Sequence, residues 1–413
     1  MAFWSIPAGV MGANIAYHAA LSAAGWVRVR RPAPVATPVR RIAVVVPAHN
    51  EARVLAETVR SVMAQDYPPA LLEVHVIADH CTDDTAGIAR SLGATAHERE
   101  GAAARSKGHA LAWLFPTLLE PWRAIDAVCV LDADNLMAPG FLREMDRQLA
   151  QGHAVVQGYL DIKNPGDGWV TASYAVAYWV SNRLFQLPRH MLGLSCALGG
   201  TGFVATSAIL RELPWRATCL TEDLEYSVQL VLHGRRVAWA HDAVVYDEKP
   251  LTLAASIRQR TRWMQGHWTC AGRYLPALLW MAVRRLSPRA LDGAIYLLQP
   301  LLVLASVLAL LATLLGSWLG LMALATAGVA HGPGGQPLPV LFSLLLLLVS
   351  LGFAVAHGHW SPGFLARVLL LPLFGLTWIP AIVLGFLRRR QQLWAHTAHV
   401  RALPVEAMVR EPP

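Results

Sequence analysis

The run from Ala294 to Ala330 holds 37 residues without a charged side chain, and no other stretch limits the fold as much. Such a run belongs in lipid or in a core, because its apolar surface is driven out of water. At about 1.5 Å per residue it is too long for one ordinary membrane span. A helical hairpin turning near Gly316-Ser317 is therefore expected. Leu338 to Ala356 reads as another span, and Val368 to Leu387 as a further one, interrupted by Pro372 and Pro380 and closed by Arg388 to Arg390. A chain of 413 residues, 55% of them hydrophobic, has room for one large domain plus several spans. It is not the composition of an ordinary soluble enzyme.

A further apolar stretch, Ile6 to Trp26, precedes Arg28, Arg30 and Arg31. Its basic flank follows the apolar run instead of preceding it, which suits a span with the N-terminus outside better than a cleaved signal peptide. The division expected is a transmembrane helix at 1–27, a stiff basic and Pro-rich linker at 28–40, a cytoplasmic domain at 41–270 and an interfacial helix at 271–292. A C-terminal transmembrane region at 293–390 and a cytoplasmic tail at 391–413 follow. Tyr274 to Arg289 mixes apolar residues with Arg284 and Arg285, as an interfacial helix does. Basic residues collect on the cytoplasmic side, so Arg388 to Arg390 call for an even number of C-terminal crossings. The tail residues Trp394, His396, Thr397 and His399 read as an interfacial anchor more than as a metal site.

The net charge of +8 sits in arginine blocks beside apolar runs, not along one face suited to nucleic acid. Membrane flanks explain it, and a nucleic-acid partner is not expected. The five cysteines, Cys81, Cys129, Cys196, Cys219 and Cys270, are odd in number and scattered. They imply a reducing compartment and no disulfide framework.

From Arg41 onward strands and helices alternate. Ile42 to Val46, Glu73 to Ala78 and Ala127 to Leu131 read as strands; Ala52 to Ala64 and Thr82 to Leu92 read as helices. Carboxylates close two of these strands, at Asp79 and at Asp132-Ala133-Asp134. A doubly wound α/β sheet binds nucleotides at that carboxyl edge. Neither Gly-x-Gly-x-x-Gly nor a Walker loop is present, which counts against dinucleotide binding and ATP hydrolysis.

Several candidates keep two readings on the residues alone. Asp132 and Asp134 suit a hard divalent cation, Mg²⁺ or Mn²⁺, facing a diphosphate, or close a turn as a helix cap. Asp79 shares that ambiguity, and His49 either stacks on a base or caps a helix with Asn50. Thr221-Glu222-Asp223 starts a helix that runs to about His233, or holds a general base ready at its N-terminus. Leu198-Gly199-Gly200-Thr201-Gly202-Phe203 admits close backbone approach to a ligand, or makes a tight turn. The segment Arg258-Gln259-Arg260-Thr261-Arg262-Trp263 offers guanidinium forks to phosphate, or lies as a basic amphipathic helix among lipid headgroups.

In order along the chain stand Val-Pro-Ala-His-Asn-Glu (46–51), Ala-Asp-His-Cys-Thr-Asp-Asp-Thr (78–85), Lys107-Gly108, Leu-Asp-Ala-Asp-Asn (131–135), Gly-Gly-Thr-Gly-Phe (199–203), Thr-Glu-Asp (221–223) and Gln-Arg-Thr-Arg-Trp (259–263). This order resembles family 2 glycosyltransferases, in the membrane-integrated branch of cellulose, hyaluronan and poly-N-acetylglucosamine synthases and ceramide glucosyltransferase. The resemblance covers about residues 41–270. It implies a GT-A type nucleotide-sugar-binding domain, with a Rossmann-like mixed sheet, inserted between transmembrane helices.

The resemblance also implies roles. Asp79 holds the uracil or ribose of a nucleotide sugar, with Pro47, His49 and Glu51 lining that pocket and Lys107 near the nucleotide. Asp132 and Asp134 form the Asp-x-Asp pair, Asp134 nearer a Mg²⁺ or Mn²⁺ ion. Asp223, beside Glu222, is the base that deprotonates an acceptor hydroxyl. Gln259, Arg262 and Trp263 match Gln-x-x-Arg-Trp, with the arginine at the diphosphate and the tryptophan at the acceptor, where Gly200 and Thr201 are also expected. Two departures stand out: His49 occupies a position often held by Tyr, and Asp79-His80 replaces Asp-Asp or Asp-Asn.

The implied activity is inverting transfer of a sugar, from a UDP-sugar by preference, to a saccharide or lipid acceptor at a plasma membrane, with the catalytic domain cytoplasmic. Polysaccharide synthesis and single transfer to a lipid are the two forms of that activity. A non-catalytic nucleotide-sugar-binding scaffold is the distant alternative, and the intact acids at every motif speak against it.

Overall fold

The computed structural model describes residues 2–26, 37–101, 105–216, 218–327, 338–391 and 401–408. Eight strands form one sheet: β1 (Ile42–Ala48), β2 (Leu72–Asp79), β3 (Thr95–Arg99), β4 (Ala127–Val130), β5 (Leu136–Met137), β6 (Val155–Ile162), β7 (Phe203–Thr206) and β8 (Val237–Asp247). Their order is β3-β2-β1-β4-β7-β6-β8-β5. The first four are parallel, as the strand and helix alternation demands. β7 then runs antiparallel to both β4 and β6, and β5 antiparallel to β8. The sheet is thus mixed, and only its first half follows the doubly wound pattern.

All seven residues of β1 are buried, because a parallel strand covered on both faces has no solvent side to alternate toward. Ala43 and Val45 enter one core with Leu111, Leu114 and Phe115. Ile42, Val44 and Val46 enter the opposite core with Leu55, Val59 and Val62. The period of two along the strand divides them.

The helices, in chain order, begin with α1 (Ala2–Ala24), α2 (Leu55–Met63), α3 (Thr85–Ser91), α4 (Lys107–Leu118) and α5 (Phe141–Ala150). Next come α6 (Trp169–Ser181), α7 (Leu187–Met191), α8 (Ser207–Glu212) and α9 (Glu222–Leu232). The apolar third supplies α10 (Leu253–Arg284), α11 (Pro288–Ala327), α12 (Leu338–Ala356), α13 (Pro362–Val368), α14 (Leu371–Leu376) and α15 (Trp378–Leu387).

Two expectations about that third are corrected. The hairpin at Gly316-Ser317 does not form, because α11 is one helix of 40 residues. Its first turns are core, not span: Ala290, Ala294 and Leu297 are buried against Leu224, Val228 and Leu278. Residues 271–292 are not one interfacial helix but the end of α10, a break at Arg285 to Ser287 and the start of α11. Leu286 takes a positive φ of 47° in that break. Val368 to Leu387, expected as an interrupted span, lies in a helical stretch whose breaks fall at Leu369-Leu370 and at Thr377, between α13, α14 and α15.

Among the described residues, one segment, Pro362–Leu387, is long and apolar enough to cross a membrane. The end of α12 packs on the domain. There Phe353 and Ala354 are buried in the core that also holds Trp179, and the His357 ring stacks 4.3 Å from Trp179. α1 meets the same region: Tyr17 and Arg189 both hydrogen-bond Asp292 near the start of α11. The expected tail residues Trp394, His396, Thr397 and His399 lie outside the described residues.

Candidate active site

The carboxyl ends of β1 and β4, the N-terminal end of β7 and the first turns of α4 and α9 open onto one cavity of about 520 Å³, which α10 closes from the side. Pro47, His49, Glu51, Lys107, Asp132, Asp134, Gly200, Thr201, Glu222, Asp223, Gln259, Arg262 and Trp263 all line it. Residues up to 216 positions apart in sequence therefore meet at a single sheet edge. Asp79 does not line the cavity. Its carboxylate, expected at the nucleotide, binds Arg99 at 2.5 Å and His80 at 2.8 Å instead. Its backbone carbonyl lies 2.6 Å from His49 Nδ1, so Asp79 reaches the cavity through His49.

The loops after β1 and β2 are tied to each other. Asn50 Oδ1 accepts from the Thr82 amide at 2.7 Å, and Asp83 accepts from the Ala52 amide at 3.0 Å. Burial alone would raise the Asp83 carboxyl, but hydrogen bonds from Thr85 and Ala52 hold it below the usual range. Asn50 and His80 both sit at positive φ, 55° and 52°, where such loops turn sharply.

The glycine-rich loop before β7 is held from beneath. Gln157 Nε2 donates to the carbonyls of Thr201 and Gly202, while its Oε1 accepts from the Gly199 amide at 2.9 Å. Thr201 Oγ1 accepts from the Asp132 amide at 2.9 Å and donates to Asn135 at 2.6 Å. Gly200 has a φ of 80°, and a Cβ there would stand 3.2 Å from Asp223 Oδ2. A side chain at 200 would therefore be strained and would crowd the carboxylate.

Lys107 Nζ donates to Asp132 and, at 2.7 Å, to the Gly200 carbonyl. Burial disfavours its charge, yet Asp132, Glu222 and Asp223 outweigh that and raise its pKa. Glu222 and Asp223 form a coupled pair at the start of α9. Burial raises both carboxyls; the Asp223 charge adds to the effect on Glu222, while Lys107 works against it in both. Arg262 is pulled down by burial and supported by Glu222, Asp132 and Asp223. Two cations and three carboxylates thus share a partly desolvated space, the setting in which functional groups carry shifted pKa values.

The far wall was not legible as a site. Tyr174 and Tyr178 of α6, Phe374 of α14 and Trp378 of α15 line the cavity beside Trp263. Tyr174 and Phe374 rings pack edge to face at 5.0 Å, and Trp263 lies 6.4 Å from Trp378. Fully buried Arg260 sits over Phe374 and Trp378 and donates to Thr377 at 2.9 Å. Asp247, Glu248 and Lys249 after β8 also line the space. Three consecutive charges at 247–249 were a signal in the sequence; two aromatics inside an apolar run were not.

Asp132 and Asp134 supply the hard oxygen donors that a divalent cation takes. Among the described residues no group of three or more His, Cys, Asp or Glu side chains could hold a metal by itself. The donor set therefore fits an ion such as Mg²⁺ or Mn²⁺ that takes few protein ligands and completes its shell with phosphate oxygens and water.

Curated relatives match this chain in part. The probable glycosyltransferase YdaM of Bacillus subtilis (strain 168) is 26% identical over 237 residues, 55% of each chain. A beta-monoglucosyldiacylglycerol synthase of Synechocystis sp. is 28% identical over 260 residues, 60% of this chain and 51% of that one. The chain spans about half the length of these relatives. Among solved structures, the mannosyltransferase PcManGT from Pyrobaculum calidifontis, in complex with GDP-Man and Mn²⁺, aligns at a TM-score of 0.57 and 18% identity. That alignment covers 94% of this chain and 97% of that one, so the two share a fold that includes the apolar third. A family model described as Glycosyltransferase like family 2 matches residues 38–266, more than half of the 413 residues, and the chain belongs to that family.

Proposed function

We propose that the protein transfers a single sugar from a nucleotide-sugar donor, UDP-linked by preference, to a lipid acceptor at the membrane. The observation that carries the lipid reading is the build of Leu369 to Trp378. Phe374 and Trp378 face the catalytic cavity, while Leu369, Leu370, Leu373 and Leu376 are 40–54% exposed on the same short stretch. One helix, about 10 Å thick, separates the reacting space from an apolar surface of the kind that contacts lipid. An acceptor with its hydroxyl in the cavity would keep its acyl chains in that lipid. The glycolipid product named for the Synechocystis relative is of this class. A growing saccharide is the other acceptor class, and product size separates the two.

In the proposed reaction Asp223 takes the proton of the attacking hydroxyl, and burial raises its pKa, which makes it a stronger base than an exposed aspartate. Arg262 and Lys107 offset charge that gathers on the departing diphosphate. A divalent ion held by Asp134 and Asp132 would supply further Lewis-acid neutralisation of that diphosphate. Glu222 stands beside Asp223 in the first turn of α9, and one displacement at the anomeric carbon inverts its configuration. The topology proposed here rests on the basic flanks and the apolar lengths of the segments. In the proposed topology α1 is one crossing, α11 and α12 are a pair of further crossings, and Arg388 to Arg390 lie at the cytoplasmic face of a plasma membrane.

Incubation in lipid with a panel of nucleotide sugars, followed by NMR of the product, tests the reaction. The expected product has the opposite anomeric configuration to its donor, and exhaustive chelation abolishes its formation. Retained configuration would contradict the single displacement.

A further inference from the structure

Cys219 and Cys270 lie with their sulfur atoms 3.7 Å apart, although 51 residues separate them in sequence. Cys219 lines the catalytic cavity in the loop that leads into Thr221-Glu222-Asp223. Cys270 is 1% exposed on α10, two turns beyond the helix face that presents Arg262. We propose that this pair is a reversible disulfide site that couples the thiol redox state to the placement of the Asp223 carboxylate.

The loop and the helix already interlock at this point. A Cβ at Gly266 would stand 2.2 Å from Thr221 Oγ1 and 2.7 Å from the Thr221 amide, so α10 has given up a side chain to let the loop in. The Cys219 thiol donates to the Thr221 carbonyl at 3.4 Å, and that carbonyl also accepts the first amide bond of α9, from Glu225 at 3.0 Å. Bonded sulfurs stand about 2.0 Å apart. Oxidation therefore draws Cys219 toward α10, removes the thiol donor from Thr221 and shifts the first turn of α9. Displacement of about 1 Å at a catalytic group costs on the order of 10²-fold in rate.

The chemistry needs one small-molecule disulfide as oxidant. The partly exposed Cys219, as thiolate, attacks a sulfur of that disulfide and releases one small thiol. Cys270 then attacks the Cys219 sulfur and releases the second. Two protein thiols and one disulfide become one protein disulfide and two small thiols, with the two electrons passed to the small molecule. In a reducing compartment such a bond is transient and serves sensing, not structure.

The test poises the full-length protein, in lipid, in graded oxidised-to-reduced glutathione buffers, with peptide mapping of the cross-link and a single-turnover transfer rate on each sample. The rate readout rests on the glycosyltransferase reading above; the cross-link map does not, so the two ideas fail separately. The expected result is a Cys219–Cys270 cross-linked peptide that grows as the rate falls roughly 10²-fold, both reversed by dithiothreitol. Cys270→Ala should keep the untreated rate and resist the loss, and Cys270→Ser replaces it if the alanine variant does not fold. The proposal is overturned if oxidised protein shows no such peptide, if the cross-link forms with an unchanged rate, or if the Cys270 variant loses activity in the same proportion as the parent.

Discussion

Asp223 carries the largest single consequence of any side chain in this account. Asp223→Asn keeps the shape of the group and most of its capacity to accept from the Leu224 amide, at 2.8 Å in the parent, but it cannot take a proton. Turnover should fall by roughly 10² to 10⁴, with the donor dissociation constant almost unchanged. Arg262→Ala should weaken donor binding as well as slow transfer, because it removes a charge-assisted contact to phosphate. Calorimetry of donor binding beside single-turnover rates separates the two. The pH profile follows from the same electrostatics. A base works only when ionised, and burial raises the Asp223 pKa, so kcat/KM should decline at a higher pH on the acid side than an exposed aspartate would give. Lys107 holds both carboxyls down, so Lys107→Met should move that decline to still higher pH. A move to lower pH would contradict the assignment.

At the scale of elements, the meeting of α9 with α10 decides whether the acids and the arginine face one cavity. Gly266→Ala places a methyl group against Thr221, and overpacking of this kind costs about 1–3 kcal/mol. A lowered Tm with a disproportionate loss of turnover is the expected outcome; normal turnover would show that the α9 start tolerates displacement. The same junction illustrates what the sequence makes legible. Asp132, Asp134 and Asp223 were readable as candidates because acids at strand ends and helix starts do little for a core, so their types stand out, whereas Lys107 came only with the motif order that resembles the family. Asp79 was readable as a strand-end acid, but its partner Arg99 comes from the neighbouring strand β3 through a pairing no local pattern reveals. Phe374 and Trp378 were illegible because an apolar residue facing a cavity and one facing lipid satisfy the same hydropathy. The 40-residue length of α11 was misread for a related reason. Apolar residues suit a protein core and a lipid setting equally, so nothing in the run marks where the buried first turns of α11 end.

For the whole molecule, the arrangement places polar chemistry at a sheet edge and an apolar wall a helix width from exposed leucines. Arg388 to Arg390 follow directly on α15, where Gln265 of α10 donates to the Arg388 carbonyl at 2.9 Å. That contact supports the cytoplasmic placement proposed for this flank. An Arg390→Cys variant should react with an impermeant thiol reagent only from the cytoplasmic side, and labelling from outside would overturn the topology. The central claim is that one sugar passes from a nucleotide to a membrane lipid, and the destination of labelled sugar tests it most directly. Protein in bilayers of defined composition, supplied with labelled nucleotide sugars and Mg²⁺ or Mn²⁺, should place the label in a solvent-extractable lipid whose mass has risen by one sugar residue. Label found only in free sugar or in a long water-soluble polymer would contradict it.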